Sequence, residues 1–325
     1  MLLDIVFLIV GLGLIMLGAN MLTDGASAIA RRRGVSDLIV GLTVVAFGTS
    51  APELVISIVS AIHGSPELAI GNVVGSNIFN VLVIIGVTSM IMPMKIDRTI
   101  MTKDIPLVVL SALALLAIGN GRLLDGDAVN EVSRVDGILL LLFFAIFMRH
   151  TFSTATDGAL PDPGAESEAA GKPVMSMGKS VLWVLIGLGG LVFGGDRFVS
   201  GASGIASGLG VSDAVIGLTI VAAGTSLPEL ATSVTAAVKG KPGIALGNVI
   251  GSNIFNIFLV LGSSAVIRPL PFGSIGNLDL LVLTVACVLF WVFGWIIGHR
   301  TITRGEGAVL TAGYVAYVTW LVINA

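Results

Sequence analysis

Long apolar runs separated by short polar segments recur from one end of this chain to the other. A membrane-spanning helix needs about 20 mostly apolar residues. Ten segments approach or meet that length, at about 2–22, 38–62, 68–92, 104–119, 136–149, 180–200, 214–238, 244–267, 277–297 and 306–323. The fourth and fifth are the shortest. The first lacks a basic start and runs into Asn20 and Asp24, so it reads as a span rather than a cleaved leader. The pattern predicts an all-α polytopic membrane protein with ten transmembrane helices.

Charge turns this list of spans into a topology. Of the 17 lysines and arginines, 13 fall in the loops after spans one, three, five, seven and nine, among them Arg31, Arg32, Arg33, Lys95, Lys172, Lys239 and Arg300. The alternate loops hold Arg122, Arg134, Arg197 and Arg268. Cytoplasmic loops carry the basic excess, so both termini are expected to face outward, with the chain in the plasma (cell inner) membrane. The longest connection, 150–179, is small, polar, acidic and proline-containing, and reads as a cytoplasmic linker. It divides the chain into a first five-helix repeat at 1–149 and a second, inverted one at 180–325.

Composition narrows the class further. Only 11% of residues are charged and 55% are apolar, against roughly 25% charged in a soluble domain. A net charge of −3 leaves no basic excess for nucleic acid. The single cysteine, Cys287, excludes an intramolecular disulfide and a cysteine metal cage, and reads as a small buried hydrophobe.

The two halves are copies. Residues 35–86 align without a gap with 211–262 at an offset of 176, and 29 of the 52 pairs are identical. GLTVVAFGTSAPEL at 41–54 matches GLTIVAAGTSLPEL at 217–230, and GNVVGSNIFN at 71–80 matches GNVIGSNIFN at 247–256. Five spans per copy place the second copy upside down relative to the first. Inverted repeats mark transporters, whose binding elements lie near the bilayer midplane.

Two carboxylates lie well inside spans, Glu53 and its equivalent Glu229. A charge at the centre of a membrane helix costs on the order of 2.5–3.5 kcal/mol on insertion scales. Neither span holds a lysine or arginine, which leaves protonation or a bound cation to stabilise them. Thr49, Ser50 and Glu53 project from one side of the helix, as do Thr225, Ser226 and Glu229. Pro52 lacks an amide hydrogen and clashes with the carbonyl four residues back, which predicts a kink near Gly48 and main-chain oxygens freed over 46–49. Pro228 does the same over 222–225. In the next span of each copy Ser76 and Asn80 share a face, as do Ser252 and Asn256. All these donors are hard oxygens, the kind that calcium and sodium take. Transition metals favour imidazole or thiolate, and His63, His150 and His299 fall in loops or at span ends.

The paired GTSxPEL and GNxxGSNIFN blocks resemble the two alpha repeats of the calcium/cation antiporter superfamily, in its prokaryotic sodium/calcium exchanger-like branch. The resemblance covers nearly the whole chain. It implies a calcium site between Glu53 and Glu229 with the carbonyls of Thr49 and Thr225. It implies sodium sites built from the carbonyls of Ala46 and Ala222 with Ser50, Ser226, Ser76, Ser252 and the same glutamates, three sodium ions in all. Asn80 and Asn256 would complete the centre. Some relatives carry aspartate where this chain has Asn256, so here the set holds two ionisable groups rather than three.

The function expected is export of calcium driven by sodium entry, an antiport rather than an enzymatic reaction, with calcium and sodium as transported ions and no cofactor. Proton-coupled exchange is the alternative in the same class, though protons need no cage of neutral oxygens. A calcium channel would take its carboxylate ring from rotational symmetry, which inverted repeats do not supply. An intramembrane enzyme would need a nucleophile or metal cluster, and the sequence offers neither. Glycine-rich stretches at 11–30 and 187–206 allow close helix contact, and the resemblance implies that these two helices slide to switch access. Asp196 next to Arg197 reads as an interfacial salt bridge.

Overall fold

The computed structural model describes residues 2–64, 66–124, 126, 129–156, 175–208, 222–273, 275–297 and 299–324. These residues are nearly all helical. The principal helices are α1 (Leu2–Arg33), α2 (Asp37–Thr49), α3 (Ala51–His63), α4 (Pro66–Ile91), α5 (Ile100–Ile118), α6 (Arg134–Thr156) and α7 (Met177–Gly208). The single turn α8 (Ala222–Thr225) follows, then α9 (Leu227–Val238), α10 (Pro242–Ile267), α11 (Asn277–Ile297) and α12 (Arg304–Asn324). Among the described residues eight helices are long and apolar enough to cross a membrane, nine when α2 and α3 count as one broken span. The chain is thus an all-α polytopic membrane protein. The expected seventh span falls partly outside the described residues, as does most of the expected linker: α6 runs to Thr156 and α7 starts at Met177.

The described residues group into two compact units, Met1–Thr49 with Phe147–Gly251, and Ser50–Ile146 with Ser252–Ala325. In the first, α1 and α7 pack antiparallel along their lengths. Gly11, Gly18 and Gly25 recur every seven residues on α1, and Gly187, Gly194 and Gly201 do so on α7. A Cβ on Gly18 would lie 2.7 Å from the Gly187 carbonyl oxygen, and one on Gly187 would lie 2.6 Å from the Leu22 nitrogen. Backbones this close explain why the seam is glycine: dispersion between helices, not water exclusion, holds a membrane pair together. Large exposed side chains such as Leu2, Ile9, Met16 and Leu17 point away from that seam. Lys239, just beyond α9, donates to Asp24 of α1 at 2.7 Å, and Lys241 lies 3.5 Å from Asp37. Arg197 and Asp196 form the expected pair at 3.3 Å.

In the second unit, ring pairs tie helices together: Phe79 of α4 against Tyr314 of α12 at 5.4 Å, and Phe144 of α6 against Phe255 of α10 at 4.9 Å. Cys287 is buried on α11. Two antiparallel ribbons join loop segments, β1 (Met94–Lys95) with β4 (Thr301–Ile302) and β2 (Glu131–Val132) with β3 (Leu270–Pro271). Two-residue strands carry no periodic signal, so the sequence pattern does not announce them.

Candidate functional site

The helix break expected near Gly48 lies at Ser50 instead (φ −82°, ψ 4°). Pro52 explains the shift. Its missing N–H and fixed φ suit the first turn of a helix, so α3 restarts there, and the Leu54 amide bonds back to the Ser50 carbonyl at 3.1 Å. The second copy does the same at Ser226 (φ −92°, ψ 7°), where Leu230 bonds back to the Ser226 carbonyl at 3.1 Å. Each break puts a glutamate on the first turn of the following helix. That end of a helix favours negative charge, through its dipole and its unpaired N–H groups.

In the second unit Glu53 is fully buried at 0% exposure. Ser76 of α4 donates to its Oε1 at 3.4 Å. Ser50, Ser76, Asn80, Ser252 and Asn256 are buried in the same unit. Among the described residues, Asn80 makes no hydrogen bond with either carboxamide atom, and neither the Ser252 hydroxyl nor the Asn256 oxygen has a partner. A buried polar group left unbonded costs about 1–3 kcal/mol, a penalty that a cation at such oxygens would offset. The Asn256 nitrogen donates to Asn77 Oδ1 at 3.1 Å, and the Asn77 nitrogen to the Asn253 carbonyl at 3.3 Å. α4 widens into a π-helical turn over Asn80–Ile85, and α10 does so over Phe255–Leu261. Such turns often sit at functional positions, because they free main-chain groups and re-aim side chains.

In the first unit Glu229 is 1% exposed, with Ser226 buried and Thr225 half-buried beside it in sequence. Thr49 ends α2, and its hydroxyl lies 3.0 Å from the Val45 carbonyl and 3.4 Å from that of Ala46, which is itself buried. Gly251 lets α10 approach this stretch closely: a Cβ there would lie 2.6 Å from Ala46 Cβ. Ala222 opens the α8 turn, and its side chain lies outside the described set.

Six further polar residues, outside the expected ligand set, join these networks. Asn72 donates to the Glu53 carbonyl and to Ser57 Oγ, at 3.3 and 3.0 Å. Asn248 donates to the Glu229 carbonyl and to Ser233 Oγ, at 3.2 and 3.0 Å. Asn77 and Asn253 join the carboxamide chain described above. All six are identical between the copies, and Asn72, Ser76 and Asn80 lie four apart on one face. That identity was the available signal.

The sodium/calcium exchanger protein family model matches residues 3–152 and 179–323. The chain belongs to the sodium/calcium exchanger family. Sodium/calcium exchanger MaX1 of Methanosarcina acetivorans is 34% identical over 350 residues, covering 97% of this chain and 98% of that one. Inner membrane protein YrbG of Escherichia coli is 35% identical over 333 residues, with 99% and 97% covered. Among solved structures, the sodium-calcium exchanger NCX_Mj superposes with a TM-score of 0.82 at 33% identity, covering 98% of each chain. Membership in the exchanger family thus extends along both repeats and does not rest on the motifs alone.

Proposed function

We propose that this chain exports calcium from the cytoplasm in exchange for sodium entering down its gradient, with Glu53 and Glu229 as the main cation ligands. The observation that carries the reading is the pair of buried carboxylates, each on the first turn of a helix that follows a break. The chain also matches, along its whole length, relatives named for sodium and calcium exchange. In this reading the carbonyls of Thr49 and Thr225 serve calcium. The carbonyls of Ala46 and Ala222, with Ser50, Ser226, Ser76 and Ser252, serve sodium, and Asn80 and Asn256 complete the set.

The mechanism is competition for shared oxygens. Calcium balances two carboxylates, and sodium ions balance them in its place. A chain emptied of both carries two buried charges whose desolvation is uncompensated, which opposes a change of access without cargo and so prevents leak. The neutral oxygens matter because a proton needs none of them, whereas sodium needs several. The chain sits in the cell inner membrane with both termini outside, an orientation supported by the basic bias of the loops. Calcium uptake into proteoliposomes by the wild type and by Glu53→Gln and Glu229→Gln tests the assignment. Activity near the wild-type rate in either variant overturns it.

A further inference from the structure

Asn72 and Asn248 stand outside the expected ligand set, yet each touches the turn that carries a glutamate. We infer that these two asparagines are positioning residues that fix the aim of Glu53 and Glu229. The inference rests on the assignment of those glutamates as cation ligands.

One carboxamide nitrogen carries two hydrogens, and in each copy two acceptors lie within reach. They are the main-chain oxygen of the glutamate, at 3.3 or 3.2 Å, and the hydroxyl of the serine four residues on, at 3.0 Å in both copies. Residues four apart stack on one helix face, so each asparagine staples a single turn from the side. The glutamate carbonyl is the atom through which the staple acts. Holding it fixes the axial rotation of the turn, and with it the direction in which the carboxylate leaves the helix. The turns in question follow the breaks at Ser50 and Ser226. The same two bonds recur in each of the two compact units, which makes a chance contact a poor explanation.

Asn248 does more than Asn72. Its nitrogen faces α9, which turns its oxygen toward Thr49, whose hydroxyl lies 3.0 Å away. A carboxamide oxygen only accepts, so the single Thr49 hydroxyl proton is shared between Asn248 Oδ1 and the Val45 carbonyl, also at 3.0 Å. Asn248 thereby links the last residue of α2, from the first repeat, to the first turn of α9, from the second. Thr49 and Glu229 are both assigned to cation binding, and one buried side chain sets the distance between their backbones.

The test compares calcium half-saturation and maximal rate in reconstituted Asn72→Leu and Asn248→Leu, which keep volume and delete the donor. Asn72→Gln and Asn248→Gln keep the carboxamide. Both leucine variants should raise half-saturation on the order of tenfold, the scale of a lost buried hydrogen bond, with a smaller effect on maximal rate. The glutamine variants should recover part of the loss. Thr49→Val should be non-additive with Asn248→Leu and additive with Asn72→Leu. Half-saturation at the wild-type value in the leucine variants, whatever their melting temperature, reduces the asparagines to packing residues and overturns the inference. If a leucine variant fails to fold, Ser57→Ala and Ser233→Ala, which remove one acceptor each, should still raise half-saturation by about two- to threefold. No shift there overturns it equally. Transport retained in Glu53→Gln or Glu229→Gln would instead remove the ligand assignment itself, a separate outcome from any asparagine result.

Discussion

Ser76 Oγ donates to Glu53 Oε1 at 3.4 Å, joining the two motifs of the first repeat at a carboxylate with no exposed surface. The bond accounts for one oxygen of Glu53 and supplies no charge. Replacing Glu53 by glutamine removes the charge that the proposed calcium site needs while keeping an oxygen for Ser76. Glu53→Gln should therefore abolish calcium uptake while the protein elutes and melts as the wild type does. The same holds for Glu229→Gln. Size-exclusion chromatography, thermal melting and calcium flux on one preparation check all three expectations.

The glycine seam between α1 and α7 makes a prediction about packing. A methyl group at Gly18 would lie 2.7 Å from the Gly187 carbonyl oxygen and 2.8 Å from the Leu191 nitrogen, both main-chain atoms that cannot swing aside. Gly18→Ala should push the helices apart, lower the melting temperature and slow exchange. Among the described residues a Cβ on Gly13 would meet nothing within 4 Å, so Gly13→Ala is the control and should leave both unchanged. Equal behaviour of the two variants would show that the seam is not under steric constraint.

Much of the fold was legible because membrane helices must satisfy their own backbone hydrogen bonds, which makes hydropathy a nearly direct readout. Residues 244–267 and 277–297 were placed within two residues of α10 and α11. What the pattern missed are features that depend on neighbours in space. The break fell at Ser50 rather than Gly48 because Pro52 is tolerated at a helix start as well as disruptive in a helix interior. The π-helical turns at Asn80 and Phe255 have no periodic signature. Asn72 and Asn248 were passed over because an asparagine looks alike in sequence whether it holds an ion or a carbonyl. The glutamates stood out because charge in an apolar run is costly wherever its partners lie.

Topology has its own check, because the outward termini rest on the basic bias of the loops. In a Cys287→Ala background, cysteines placed in the 150–179 linker should be shielded from impermeant thiol reagents in intact cells. Glu67→Cys, on the exposed first turn of α4 just after the second span, should label from outside. Cys287 is buried, so its removal clears the background and touches no loop. Reversed labelling would mean that the protein faces the other way.

Counting charge gives a prediction about voltage. Two carboxylates with neutral Asn80 and Asn256 balance one calcium ion, whereas three sodium ions leave one positive charge. Exchange should then be electrogenic, driven by about 2.3 kcal/mol per charge per 100 mV. Fluxes clamped with potassium and valinomycin should rise with the inside-negative potential that favours sodium entry. Flux that ignores the potential would mean two sodium ions. Asn256→Asp should not change the voltage dependence, because the wild-type amide donates to Asn77 Oδ1 at 3.1 Å and an aspartate keeps that bond only by holding its proton. A changed charge movement in that variant would show that the aspartate ionises.

Sodium, not a proton, is the ion proposed to exchange with calcium at the two glutamates. Purified protein in sodium-loaded, pH-balanced liposomes, with the membrane potential clamped at zero, should accumulate calcium when diluted into sodium-free medium. The accumulation should collapse when the sodium gradient is removed and should be absent from Glu53→Gln. Accumulation under a pH gradient alone, and none under the sodium gradient, would contradict the account.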